Sequence, residues 1–154
     1  MTAKVKHPQV TNYVAQVREF NRFYAGQIGL LQERFLESPY SLTEARIMFE
    51  LSRRDNMTAV ELAALLGINP GYLSRILKRF ASRGFIRRMR SPLDRRELLL
   101  NLTSKGHKVY APLNARANNE VRSSLRHLSP REIGKLLESM DTIRQMLSRP
   151  ETHV

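Results

Sequence analysis

Apolar residues recur at intervals of three and four through most of this chain, and the breaks in that rhythm delimit its elements. From Pro8 to Ile28, Val10, Val14, Val17, Phe20, Tyr24 and Ile28 form one stripe, which predicts a long amphipathic helix with proline tolerated at its start. Tyr13 and Phe23 widen the stripe beyond what one neighbour needs, so it serves either intrachain packing or a second subunit. Residues 29–40 lose the period: Leu30, Leu31, Phe35 and Leu36 lie between Gly29 and Pro39, which predicts a loop with at most a helical turn. Ser41 and Glu44 then form a capping-box pair. The helix they open should run to about Arg53, with Ala45, Ile47, Met48 and Leu51 inward. Asp55-Asn56 is turn chemistry, and Met57 is placed to make a short strand against a later hairpin.

Thr58 with Glu61 repeats the capping box, and Leu62, Ala63, Leu65 and Leu66 give the helix after it an apolar face. Gly67 stops it, because glycine takes a left-handed conformation without steric cost. Asn69 and Pro70 have the chemistry of an N-cap and first helical position; Leu73, Ile76, Leu77 and Phe80 make the buried stripe of a second helix that ends near Gly84. A hairpin should follow: Phe85–Arg90, a turn at Ser91-Pro92-Leu93-Asp94, then Glu97–Leu102 with Leu98, Leu100 and Leu102 on one side and Glu97 and Asn101 on the other. Thr103 caps a helix from about Ser104 to Arg126, with Val109, Leu113, Val121 and Leu125 as its stripe and Pro112 predicting a kink. Ser129-Pro130-Arg131-Glu132 sets a third cap for a helix to about Ser148, faced by Ile133, Leu136, Leu137, Met140, Ile143, Met146 and Leu147.

Charge changes this picture from a fold into a binding surface. Between Asn69 and Arg96 nine basic residues stand against one acid, Asp94, a local balance of +8 within a chain total of +12. The outer face of the helix from Pro70 carries Asn69, Gly71, Tyr72, Ser74, Arg75, Lys78 and Arg79; the hairpin adds Arg88, Arg90, Asp94, Arg95 and Arg96. A solvated charged face is the plain explanation of such residues. Their coincidence with a helix-turn-helix and a hairpin tip favours double-stranded DNA as the partner. The helix suits the major groove, where arginine reads guanine, and the tip suits phosphates or the minor groove.

Composition narrows the alternatives. No run of about 18 apolar residues would span a bilayer, and the N-terminus lacks a signal-peptide pattern, so a cytoplasmic protein without membrane contact is expected. With no cysteine among 154 residues, disulfides, thiolate metal sites and thiol switches are excluded. His7, His107, His127 and His153 lack metal-ligand spacing. No nucleophile–base pair or phosphate loop appears, so neither an enzyme nor a cofactor is expected. A winged helix used constitutively for DNA organisation or for a protein partner is the alternative to a regulator. The core of residues 41–103 is small for the helices attached to it, 8–28 and 104–148. Within one 1–154 domain, those terminal helices are expected to bury their stripes in a two-fold homodimer, setting two reading helices about 34 Å apart.

This order of elements, mainly α with a small β-wing, resembles the MarR family of winged helix-turn-helix transcriptional regulators over about residues 9–147. Its most specific element is Asp94, Arg95, Arg96 followed by Leu102-Thr103 and Gly106; SLTEARIMFEL and LLGINPGYLSRILKRFASRGFI are also similar to family segments. The resemblance implies a homodimer that binds pseudo-palindromic operators, mostly as a repressor, with Pro70–Arg83 in the major groove and Arg96 in the minor groove. It further implies release by a small phenolic or lipophilic ligand, held near Tyr13, Val17, Phe20, Tyr24, Phe49 and Tyr110. The chain is also similar to the regulator part of MarR–acetyltransferase fusions, but these residues contain no acetyltransferase domain, and acetyl transfer is not expected of them. The family's cysteine-based oxidation sensing is likewise not expected.

Overall fold

The computed structural model describes residues 8–28 and 38–148. Its elements are α1 (Pro8–Gln27), α2 (Leu42–Arg53), β1 (Met57–Thr58), α3 (Ala59–Leu66), α4 (Pro70–Ser82), β2 (Ile86–Arg90), β3 (Leu98–Leu102), α5 (Ser104–Leu125) and α6 (Pro130–Leu147). Most of the loop expected over 29–40 lies outside the described residues. The chain divides into two compact units, residues 1–114 and 115–154, the boundary falling inside α5.

Helix ends in the first unit are set by side chains. The Ser41 hydroxyl accepts the Glu44 N–H while the Glu44 carboxylate accepts the Ser41 N–H. Thr58 and Glu61 close the same reciprocal box on α3, and Gly67 ends that helix at φ +64°. Gly84, at φ +71°, performs the same reversal after α4. In the second unit Ser129 and Glu132 cap α6 with Pro130 at its start. The α5 helix continues through Pro112.

These boxes carry a pH signature. The Glu61 carboxyl is held below its usual range by the Thr58 backbone N–H and then the Thr58 hydroxyl; Glu132 is held down by the Ser129 hydroxyl and then its backbone N–H. A carboxyl depressed on folding stabilises the fold above its unfolded pKa, and that contribution is lost as pH falls through the folded value. Replacing both by glutamine should therefore flatten the decline of Tm between about pH 5 and pH 3; an unchanged acid limb would contradict this.

The three strands form an antiparallel sheet of order β1-β3-β2. Met57 pairs with Leu100, as its position ahead of the α3 cap suggests, and Arg88 faces Leu100 from the other side. One core joins α2, α3, α4, the sheet and the start of α5: Ile47, Met48, Leu51, Leu62, Leu73, Ile76, Leu77, Phe80, Phe85, Leu100 and Leu113 are all buried. Phe80 and Phe85 meet edge to face at 5.9 Å, a favoured geometry for aromatic pairs.

Two inward assignments fail. Leu65 is exposed, while Leu62, Ala63 and Leu66 are buried; eight residues of α3 carry too narrow a stripe to turn Leu65 inward. In β3 the alternation is broken: Leu98 is 45% exposed and Asn101 only 3%. The cause is a polar clasp. The Asn101 side-chain oxygen accepts the Asn56 backbone N–H and its side-chain Nδ2 donates to the Asn56 side-chain oxygen, both at 3.0 Å. Asn56 sits at φ +61°, a conformation asparagine tolerates better than most side chains. The pair satisfies an otherwise costly buried amide and fixes the α2–β1 turn to the wing's inner strand.

Candidate nucleic-acid interface

The interface is assembled by α4 and the β2–β3 hairpin, both within the first unit. One face of α4 buries Leu73, Ile76, Leu77 and Phe80, so the opposite face turns outward by helical geometry alone. Asn69, Gly71, Tyr72, Ser74, Arg75, Lys78 and Arg79 are exposed there. The Asn69 side-chain oxygen accepts the Gly71 N–H at 2.8 Å and the Tyr72 N–H at 3.2 Å. A Cβ on residue 71 would come within 3.1 Å of that oxygen, so glycine keeps the cap unobstructed. Arg75 lies with its guanidinium 5.9 Å from the centroid of the Tyr72 ring, within range for cation–π attraction.

The wing tip is braced rather than loose. The hydroxyl of buried Ser91 accepts the N–H groups of Leu93 and Asp94, each at 3.3 Å. The Asp94 carboxylate accepts the Arg96 N–H at 2.9 Å. Backbone bonds Ser91 N–H to Glu97 O and Glu97 N–H to Asp94 O, both 3.0 Å, close the loop. Arg90 donates to the Arg95 carbonyl at 3.1 Å. Arg88, Arg90, Asp94, Arg95 and Arg96 are all exposed. Asp94 and Arg90 thus hold the turn's shape, while the Arg95 and Arg96 side chains extend from it.

Sequence reasoning missed one participant. Arg79 forms an ion pair with Glu44 of α2, whose carboxylate also closes the α2 capping box. The two residues are 35 positions apart, and a capping role alone explained Glu44, so nothing in the sequence signalled the contact.

The six residues assigned to a ligand are distributed as follows. Tyr13, Val17, Phe20 and Tyr24 are exposed on α1, with Phe20 and Tyr24 stacked at 5.8 Å. Phe49 is exposed on α2 beneath the Arg53 guanidinium at 5.4 Å. Tyr110 is half-buried; its hydroxyl donates to Asn114 at 3.0 Å, and burial raises its pKa despite a hydrogen bond with Ser52. A separate apolar groove of about 530 Å³ lies between α3, α4 and the sheet, with Ser74 and Arg88 among its walls; none of the six lines it. Among the described residues no acidic, cysteine or histidine cluster could hold a metal ion, and no helix is long and apolar enough to cross a membrane.

Comparison with known proteins agrees with this geometry. Residues 40–98 match the MarR family model. The multiple antibiotic resistance protein MarR of Salmonella typhimurium is 27% identical over 95 residues, which are 61% of this chain and 66% of that one, so the chain spans about two-thirds of that relative. Among solved structures, a cysteine-to-serine mutant of MarR from E. coli complexed with operator DNA superposes with a TM-score of 0.70 at 20% identity, over 86% of this chain and 95% of that one. Bordetella bronchiseptica BpsR, described with the regulation of its DNA binding by 6-hydroxynicotinic acid, superposes with a TM-score of 0.69 at 18% identity, over 86% and 93% of the two chains. The winged helix-turn-helix that residues 40–98 build is thus similar, in sequence and in fold, to that of the MarR family.

Proposed function

We propose that this protein is a sequence-specific DNA-binding transcriptional regulator, acting as a repressor on a pseudo-palindromic operator. The observation that carries the proposal is the joint exposure, on one compact unit, of the polar α4 face and the arginine-bearing wing tip. The α4 helix enters the major groove with its N-terminal turn foremost. Asn69, Gly71 and Tyr72 approach the backbone and base edges, Ser74 and Arg75 read bases, and Lys78 neutralises phosphate. The wing follows the phosphates, with Arg96 directed into the adjacent minor groove.

The reading unit works in duplicate. Every apolar residue on the described α6 face is at least partly exposed, with Leu137 at 60% and Leu147 at 81%. The α1 helix separately exposes Tyr13, Val14, Val17, Phe20 and Phe23. Apolar surface of this extent marks an association site, and a two-fold partner using the same terminal helices would cover it and place two α4 helices one DNA turn apart. Light scattering should give a dimer, and Leu137→Glu should shift it to monomer with loss of operator binding. A monomeric wild-type protein would remove this part of the proposal.

A small phenolic or lipophilic effector releases the DNA. Support comes from the exposed ring pair Phe20–Tyr24 and from the effector named for the Bordetella relative. The decisive experiment for the whole reading is selection of duplexes from a random pool by the purified protein, followed by a salt titration. A regulator should enrich a two-fold symmetric sequence and bind it with log K falling steeply against log salt, by about 0.9 for each phosphate contact. Failure to enrich any sequence would reject it.

A further inference from the structure

Glu44 divides its carboxylate between two structural tasks. One oxygen accepts the Ser41 N–H at 2.8 Å and closes the α2 cap; the other accepts the guanidinium of Arg79, on the outer face of α4. The Glu44 side chain is only 13% exposed, whereas Arg79 is 49% exposed. Exposed ion pairs between two mobile chains contribute little, because both must be immobilised. Here the carboxylate is already fixed by the cap, so Arg79 meets an immobile acceptor. Among the described residues, Arg75 and Lys78 on the same face have no carboxylate at ion-pair distance.

We propose that Arg79 is a positioning residue rather than a DNA contact: anchored to Glu44, it sets the orientation of α4 against α2 and withholds one positive charge per subunit from the DNA backbone. This rests on the DNA-binding reading above. Two consequences separate it from a phosphate contact. Arg79 adds nothing to the salt dependence of binding, and disturbing the pair costs discrimination between sequences rather than general affinity.

The test uses the full chain and two probes: the duplex enriched by the wild type and a random duplex of equal length. Arg79→Met keeps most of the aliphatic stem and removes the charge. It should leave the salt slope and random-duplex affinity unchanged while lowering the selected-to-random ratio about tenfold, the effect of one imperfect base contact. Glu44→Gln preserves the cap, since glutamine serves in capping boxes, but loosens Arg79. It should raise random-duplex affinity and steepen the salt slope, and the double variant should behave as Arg79→Met alone. A salt slope flattened by about 0.9 per contact in Arg79→Met, or unchanged random-duplex affinity in Glu44→Gln, would overturn the proposal. Should Arg79→Met fail to fold, Glu44→Gln decides alone. A wild type that enriches no duplex would reject the DNA-binding reading and this inference with it.

Discussion

Arg75→Ala should abolish most of the discrimination between the selected duplex and random DNA while leaving random-DNA affinity nearly intact. A bidentate arginine–guanine contact contributes about 1–3 kcal/mol of discrimination, and a dimer presents it twice, so the ratio should fall by about 2–6 kcal/mol. Arg75 is singled out by its surroundings. It projects from the exposed α4 face nearly two turns inside the Asn69 cap, and among the described residues no carboxylate competes for it. The Tyr72 ring lies 5.9 Å away, which restricts the guanidinium before DNA arrives and lowers the ordering cost of binding. Lys78→Ala on the same face should behave differently: equal weakening on both duplexes and a flatter salt slope, as expected for a phosphate contact. Equal losses on both duplexes for Arg75→Ala would instead identify Arg75 as another phosphate ligand. Binding isotherms at two or more salt concentrations separate these outcomes.

The local code of this chain is legible because its helix ends are written in side chains. Ser41, Thr58 and Ser129 each cap a helix together with a glutamate three residues on, and such boxes act over one turn without help from the rest of the fold. The α4 stripe is legible for the same reason: its apolar residues keep a clean helical period and all four are buried. What was illegible is contact at long sequence separation. Alternation puts Asn101 on the strand side opposite Leu100 but says nothing of its burial, which depends on a buried amide being satisfied by another amide 45 residues away. Leu65 failed for a related reason, since the share of a short helix that the core can cover is decided by its neighbours.

The binding surface divides the same way. Clustering of nine basic residues within a short segment is a property of the sequence and needs no fold to be seen. How each charge is used depends on what stands beside it. Arg79 is engaged by Glu44, and Arg90 is engaged by the Arg95 carbonyl. Asp94, the lone acid in the segment, spends its carboxylate on the Arg96 N–H. A list of cations therefore does not say how each one is engaged, and the wing's shape depends on residues that a charge count treats as equivalent.

Gly106→Ala should be the most damaging conservative substitution in the reading unit. A Cβ on residue 106 would lie 2.1 Å from the Phe85 carbonyl oxygen and 2.9 Å from a Leu102 methyl carbon, and a backbone oxygen cannot swing aside as a side chain can. That oxygen also accepts the Thr103 N–H at 2.9 Å, while the Thr103 hydroxyl donates to the Gly84 carbonyl at 2.6 Å and accepts the Gly106 N–H at 3.0 Å. The Leu-Thr-x-x-Gly spacing thus describes one physical device: the first turn of α5 is stitched to the start of β2, and only hydrogen fits in the gap. Phe85 is in the core against Phe80, so displacing its carbonyl moves the core and the wing together. Overpacking costs about 1–3 kcal/mol and occasionally more; with a backbone oxygen as the obstacle the upper end is expected, and chemical denaturation should show that loss along with weakened DNA binding. Gly134→Ala supplies the contrast. Nothing lies within 4 Å of a Cβ there and the residue is inside α6, so alanine should stabilise by about 0.5–1 kcal/mol through helix propensity. If Gly106→Ala fell within about 1 kcal/mol of the wild type, a shift the core can absorb, the α5–β2 stitch would not be the close contact described.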